Sequence, residues 1–261
     1  TVVRLVVKLG YEGFPDFQAK LLAEVEARLH SPLLMMEAKR QSGSSDSAVL
    51  AYLDSVAAAL QKATAATPVQ TYERAARLLM EAKGEIVLVG GRFSRHIAGM
   101  LAGYLGQFRS GVRDLGVLSP QTFDTLADLG RRDVLVVFDY RRYQLDVMAY
   151  ASQAAALDVR ILLFTDQWLS PISDLAEVTI VSPLEVASPY DTLAPAIAQM
   201  EALTAHIVST LGDDARARIE RIEKVRHANA VTLDSDPQSN GKRQTSEPRK
   251  TPGPKSAKQD D

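Results

Sequence analysis

The stretches Glu85-Ile-Val-Leu-Val-Gly-Gly-Arg-Phe-Ser-Arg-His96 and Asp133-Val-Leu-Val-Val-Phe-Asp-Tyr-Arg-Arg-Tyr143 decide the fold. Each carries a short apolar run, rich in β-branched residues, into a loop bearing glycine or arginine and then into a segment of helical character. Continuous apolar runs of this kind belong to parallel strands covered by helices on both faces. A strand that ends in such a loop presents backbone N–H groups and cationic side chains to an anion at the start of the next helix. Recognition of a small anionic ligand is the chemistry these two turns predict.

Outward from these stretches, strand and helix alternate. Apolar runs predict strands over 86–89, 112–115, 134–138, 159–164 and 178–181. Helices are predicted over 94–108, 120–129, 144–157 and 192–211, with a helical turn over 171–175. Five strands separated by helices define an α/β fold, a five-stranded doubly wound parallel sheet with right-handed crossovers. Ligands of such sheets sit beyond the carboxyl ends of the strands. Two further helices are predicted upstream, over 48–65 and 69–82, the second ending at Gly84.

The 261 residues exceed the usual single-domain size of about 100 to 150, so one α/β domain plus something smaller is expected. With 46% hydrophobic and 24% charged residues and a net charge of −2, the chain has no global attraction to nucleic acid or to an anionic membrane. Any DNA contact must come from a local surface. Cysteine is absent and the four histidines (His30, His96, His206, His227) are scattered, so neither a metal nor another cofactor is expected. No apolar run approaches the roughly 18 to 20 residues of a membrane span, and the start lacks the features of a signal peptide. A cytoplasmic location without a membrane partner is the expectation.

Residues 1–9 read as a helix closed by Gly10, with Val2, Leu5, Val6 and Leu9 at core spacing and Thr1, Arg4 and Lys8 on the opposite stripe. A second amphipathic stretch follows Pro15, with Phe17, Leu21, Leu22 and Val25 on its apolar side. Gln41-Ser-Gly-Ser-Ser-Asp46 has the composition of a flexible connection followed by a helix N-cap, which places a domain boundary there. From about residue 226 Ser, Pro, Gly, Lys, Gln and Asp dominate, the composition of a disordered tail. The expected organisation is a helical domain over 1–40, a linker and leading helices over 41–84, an α/β domain over 85–225 and a tail over 226–261.

In the first loop Gly90 and Gly91 permit a tight turn, Ser94 can cap the helix and offer a hydroxyl, and Arg92 and Arg95 add full charges. Neither the Gly-x-Gly-x-x-Gly of a dinucleotide fold nor the Lys-Ser/Thr of a P-loop is present. In the second loop Arg141 and Arg142 are candidate bidentate clamps for phosphate or carboxylate, with Asp139 holding one of them. A salt-bridge network at the sheet edge is the competing reading. Glu185, in Ser182-Pro-Leu-Glu185, is a candidate acceptor for a ligand hydroxyl.

Three stretches carry a family resemblance. They are Thr1-Val-Val-Arg-Leu-Val-Val-Lys-Leu-Gly-Tyr-Glu-Gly-Phe-Pro-Asp-Phe17, Val89-Gly-Gly-Arg-Phe-Ser94 and Leu163-Phe-Thr-Asp-Gln-Trp-Leu-Ser-Pro-Ile172. Taken together, they resemble the RpiR family of transcriptional regulators, built from an N-terminal helix-turn-helix domain and a C-terminal SIS (sugar isomerase) domain. The resemblance covers Thr1 to about Val225. It implies a homodimer or higher homo-oligomer that binds operator DNA, here through Thr1, Arg4 and Lys8 of a recognition helix whose preceding helices are absent. It also implies a SIS domain that senses a carbohydrate derivative such as a phosphosugar or sugar acid.

Two departures are visible. Arg92 stands at the second glycine of the family's Gly-x-Gly-x-Ser loop, and Phe138-Asp-Tyr-Arg-Arg-Tyr-Gln144 replaces its Ser-x-Ser-Gly-x-Thr phosphate cradle. The alternative is a phosphosugar isomerase on the same fold, with Glu185 as base and Asp139 as a second carboxylate. Loss of the hydroxyl cradle argues against it, so no catalytic residue and no enzyme activity are expected.

Overall fold

A computed structural model describes residues 2–18, 20–21 and 47–231. The chain divides into two units, Thr1–Gly212 and Asp213–Asp261. The first contains α1 (Val2–Lys8), α2 (Ala48–Ala66) and α3 (Val69–Met80), followed by β1 (Ile86–Gly90), α4 (Arg95–Phe108), β2 (Val112–Asp114) and α5 (Pro120–Asp124). After a 3-10 turn over Thr125–Asp128 come β3 (Val134–Phe138), α6 (Leu145–Ala156), β4 (Arg160–Asp166), a second 3-10 turn over Pro171–Asp174, β5 (Val178–Ser182) and α7 (Ala194–Ser209). The second unit is described as one helix, α8 (Asp213–Ala228).

The five strands form one all-parallel sheet in the order β2-β1-β3-β4-β5, the fold class expected. Ile86 stands opposite Val112 on one side and Val134 on the other, Val134 opposite Arg160, and Leu162 opposite Val178. Every residue of β1 and β3 is buried, which is why these strands read as unbroken apolar runs. Side chains alternate between faces. Val87, Val89, Leu135, Val137, Ile161 and Leu163 form one core with Val147, Tyr150, Ala151 and Ala154 of α6 and with Ile172. On the opposite face Phe138 and Phe164 stack with ring centroids 4.4 Å apart, beneath the layer in which α7 packs against α2, α3 and α4.

Local chemistry explains the joints. The Ser47 side chain accepts from Leu50 N to start α2. Arg109, at the end of α4, donates to the carbonyls of Leu79, Ala82 and Gly84, so one guanidinium satisfies the otherwise orphaned end of α3 and pins it to the entry of β1.

Several boundaries differ from expectation. The helix expected over 120–129 is α5 followed by a 3-10 turn, and the one expected over 192–211 spans only Ala194–Ser209. Strand β4 runs on to Asp166, which brings a carboxylate to the sheet edge. In α1, Val6 is buried but Leu5 and Leu9 are exposed, so these two do not face a core. Helix α8 was not expected. Its paired Asp213 and Asp214 in the first turn and Arg226 and His227 in the last suit the helix dipole. The connection over 41–46, and Thr1, Leu22 and Val25, lie outside the described residues. Among the described residues no helix is long and apolar enough to cross a membrane.

Gly90 is a tight joint between sheet and helix. A Cβ there would lie 2.6 Å from Arg95 N and 2.8 Å from Arg95 Cα, both backbone atoms that cannot step aside. Gly90→Ala is therefore expected to lower unfolding free energy by about 1–3 kcal/mol, the range for overpacking, as measured by urea denaturation.

Candidate functional site

Strand order reverses between β1 and β3, so the chain leaves these neighbouring strands in opposite directions and opens a crevice beyond Gly90 and Phe138. The loops after β1 and β3 form its walls.

In the first loop Ser94 is turned inward. Its Oγ accepts from Gly91 N at 2.9 Å and donates to Phe138 O at 2.6 Å. The hydroxyl expected to cap α4 instead ties the end of β1 to the end of β3, and Ser94 makes no side-chain cap bond. Arg92 N donates to Gln144 Oε1 at 2.9 Å, a second tie between the two loops. Among the described residues the N–H groups of Phe93 and Ser94 meet no acceptor, and they open α4 with its positive dipole end. The Arg92 guanidinium lies 5.6 Å from the exposed Phe93 ring, and Arg95 Nη1 donates to Arg92 O at 3.1 Å. Arg92, Arg95 and the start of α4 thus share one positive rim.

The second loop is built over buried carboxylates. Asp139, only 1% exposed, accepts from Ser170 Oγ at 2.5 Å and from Gln144 N at 3.3 Å. It therefore holds neither arginine, contrary to expectation. Burial pushes its carboxyl up to about 6. Bonds from Ser170 and Gln144 oppose that rise, and the Asp166 and Asp146 charges add to it. Asp166, fully buried, accepts from Arg141 N at 2.5 Å, Trp168 N at 2.9 Å and Tyr143 OH at 3.0 Å, and burial raises it too.

The carboxylate that holds Arg141 is Asp191, in the loop between β5 and α7. Arg141 Nε donates to Asp191 Oδ2 at 2.9 Å, Nη2 donates to Oδ1, and the guanidinium lies over the Trp168 ring at 4.5 Å from its centroid. Arg142 is exposed and holds a φ of +50°. Glu185 is exposed and accepts from Gln167 Nε2 at 3.5 Å.

Gly90, Gly91, Arg92, Ser94, Arg95 and Asp139 thus meet at the crevice, whereas Arg141 turns to the β5–α7 loop and Glu185 lies beyond β5. Sequence reasoning missed Gln144, Asp166, Trp168, Ser170 and Asp191. The Asp166-Gln-Trp-Leu-Ser170 run was the available signal, since an Asp followed by Ser at a strand end offers carboxylate and hydroxyl where loops converge.

A wound parallel sheet with its crevice at this reversal defines a class of ligand-binding α/β domains. The chain belongs to the SIS domain family, whose model matches residues 78–209. Among solved structures, the sugar isomerase domain of an RpiR transcription factor from Sphaerobacter thermophilus is similar. It is 23% identical over 67% of this chain and 97% of that one, with a TM-score of 0.62. The Vibrio vulnificus NanR protein complexed with ManNAc-6P is 15% identical over 86% of this chain and 79% of that one, TM-score 0.55. A phosphoheptose isomerase from Francisella tularensis is 14% identical over 63% of this chain and 96% of that one, TM-score 0.52. At these identities the likeness shows the fold. No curated protein sequence is significantly similar to the chain.

Set against the Ser-x-Ser-Gly-x-Thr pattern, residues 139–144 place Arg142 at the glycine. Its φ of +50° is the left-handed conformation that a glycine adopts without strain. Arg142→Gly should relieve left-handed strain of roughly 1–2 kcal/mol against a glycine entropy cost of about 0.5–1 kcal/mol. Chemical denaturation is expected to show equal or greater stability for the variant.

Asp139 sets a pH dependence. Its folded value of about 6 lies above the ordinary 3.8, so between these values the folded protein holds more protons than the unfolded chain. Stability from this group is complete below about pH 4 and declines as pH rises through about 6, by about 3 kcal/mol in all. Asp139→Asn lacks this loss. The stability of the variant relative to the wild type should grow by about that amount between pH 4 and pH 7, as followed by urea unfolding across pH. A pH-independent difference would contradict the assignment.

Proposed function

We propose that the chain is a DNA-binding transcriptional regulator of the RpiR type whose SIS domain dimerises and senses a small anionic metabolite, such as a phosphosugar or sugar acid. The observation that carries the reading is the positive rim at the β1/β3 crevice, where the turn leading into α4 presents the N–H groups of Phe93 and Ser94 beside Arg92 and Arg95. An anion seated there meets backbone donors, a helix dipole and two full charges together. The NanR neighbour, complexed with ManNAc-6P, supports a phosphosugar as the class of ligand.

DNA binding is supported by Arg4 and Lys8, both exposed on α1, a helix with the sequence character of a recognition helix. Dimerisation is supported by α2, which leaves Val49, Leu50 and Leu53 exposed along one side. A cytoplasmic location accompanies this role. We read the protein as a sensor and not an enzyme. Asp139 has both carboxylate oxygens engaged inside the fold, and Glu185 is an exposed residue bonded to Gln167, so neither is organised as the base of an isomerase.

The test is a thermal-shift screen of the full chain against phosphosugars and sugar acids. A ligand present at about a hundred times its dissociation constant should add about 2.7 kcal/mol of stability. Replacing both Arg92 and Arg95 with alanine should weaken that ligand by about tenfold or more while leaving the unliganded melting temperature unchanged. The absence of a shift with every compound, or isomerase turnover of one of them, would overturn the reading.

A further inference from the structure

Arg141 is placed in an unusual way for a loop residue at a ligand-binding edge. Its side chain is 7% exposed, its fork is filled by both oxygens of Asp191, and one face of the guanidinium is covered by Trp168. Asp191 is different: it is 28% exposed and belongs to the loop joining β5 to α7. The two partners therefore stand unequally toward water. If the pair opens, the aspartate rehydrates, while the guanidinium keeps its recess against Trp168, with the Asp166 carboxylate close enough to act on it, and regains a bidentate charged partner only from another anion.

Resting on the reading of this edge as an anion sensor, we propose that Asp191 is an internal anion that occupies Arg141 in place of the ligand, and that a phosphate or carboxylate of the effector displaces it. Asp191 thereby determines specificity. A neutral sugar cannot take over a bidentate charged pair, whereas a carboxylate or phosphate presents two oxygens to the same fork. The exchange also has a mechanical consequence. Asp191 lies three residues before Ala194, the start of α7, and α7 packs against α2 and α3, the helices that lead into the sheet. Release of Asp191 frees the loop that fixes the start of α7, so occupancy of Arg141 is passed to the helical layer by a contact that is either made or broken.

The chain offers its own reporter, because Trp168 is its single tryptophan and lies against the guanidinium in question. The full-length wild type, Asp191→Asn and Asp191→Glu are titrated with inorganic phosphate and with glucose 6-phosphate at constant ionic strength. Trp168 emission and melting temperature are both followed. We expect a saturable change of Trp168 emission in the wild type, about tenfold tighter phosphate binding in Asp191→Asn because the competitor has gone, and near wild-type binding in Asp191→Glu. Arg141→Ala should abolish the emission change. Phosphate binding, seen as a melting shift, with unmoved Trp168 emission and equal affinity in Asp191→Asn would overturn the exchange and leave the sensor reading standing. Absence of any anion binding to the wild type would remove both. Should Asp191→Asn fail to fold, the wild-type titration still decides, since displacement requires Trp168 to respond.

Discussion

The crevice between β1 and β3 keeps its walls at a fixed separation through three hydrogen bonds: Gly91 N to Phe138 O, Ser94 Oγ to Phe138 O and Arg92 N to Gln144 Oε1. Below that level the strands are held by backbone ladders and by apolar packing that has no preferred direction. At the edge the ladder ends, and the loops would be free to splay. The Ser94 tie depends on Gly90, whose bare Cα lets the start of α4 come close enough for Ser94 to reach across. A missing side chain in one strand thus fixes the geometry of a site formed by two.

Charge is layered by depth at the same edge. Asp139 and Asp166 lie buried at the ends of β3 and β4, each satisfied by donors from neighbouring loops, and burial raises both. Arg92, Arg95 and Arg142 lie at the surface above them. The buried carboxylates organise: Asp139 gathers Ser170 and Gln144, and Asp166 gathers Arg141 N, Tyr143 and Trp168. The surface arginines supply the positive charge of the edge. Because Gln144 also receives Arg92 N, the loops after β1, β3 and β4 form one hydrogen-bonded assembly, and a change in any of them is felt by the others.

The sheet was legible because burial on both faces leaves a plain mark, four apolar residues in succession before Gly90 in β1 and five in β3. The close approach at Gly90 and the positive character of the first loop were legible for a similar reason, since both are local. Pairings across the sheet were not. Asp139 stands two residues from Arg141, yet it bonds to Ser170, while Arg141 finds Asp191 fifty residues away. A strand end fixes where a side chain starts, but the neighbouring loops decide what it meets. Helix α8 escaped because nine of its sixteen residues are charged, so its few apolar positions, Ile219, Ile222 and Val225, hardly register against the polar background. Leu5 and Leu9 misled in the opposite direction, since helical spacing of apolar residues gives a stripe but not the partner that would cover it.

Replacement of the serine and threonine cradle changes the kind of site this edge can be. Hydroxyls at such a turn are neutral donors that a phosphate can use directly, whereas Asp139, Arg141 and Gln144 are already engaged with Ser170, Asp191 and Arg92 N. Two of these three links reach across to another loop through a charged group, and the third closes the crevice wall. The side chains of this turn therefore form a framework that joins loops. Among the described residues, the N–H groups of Phe93 and Ser94, in the turn that leads into α4, are donors without an acceptor. The Arg141–Asp191 link, the charge pair among the three, differs from packed methyl groups in one decisive respect: it can be weakened by a competing ion. On the proposed reading of this edge as an anion site, the same chemistry that joins the loops makes them responsive to what arrives.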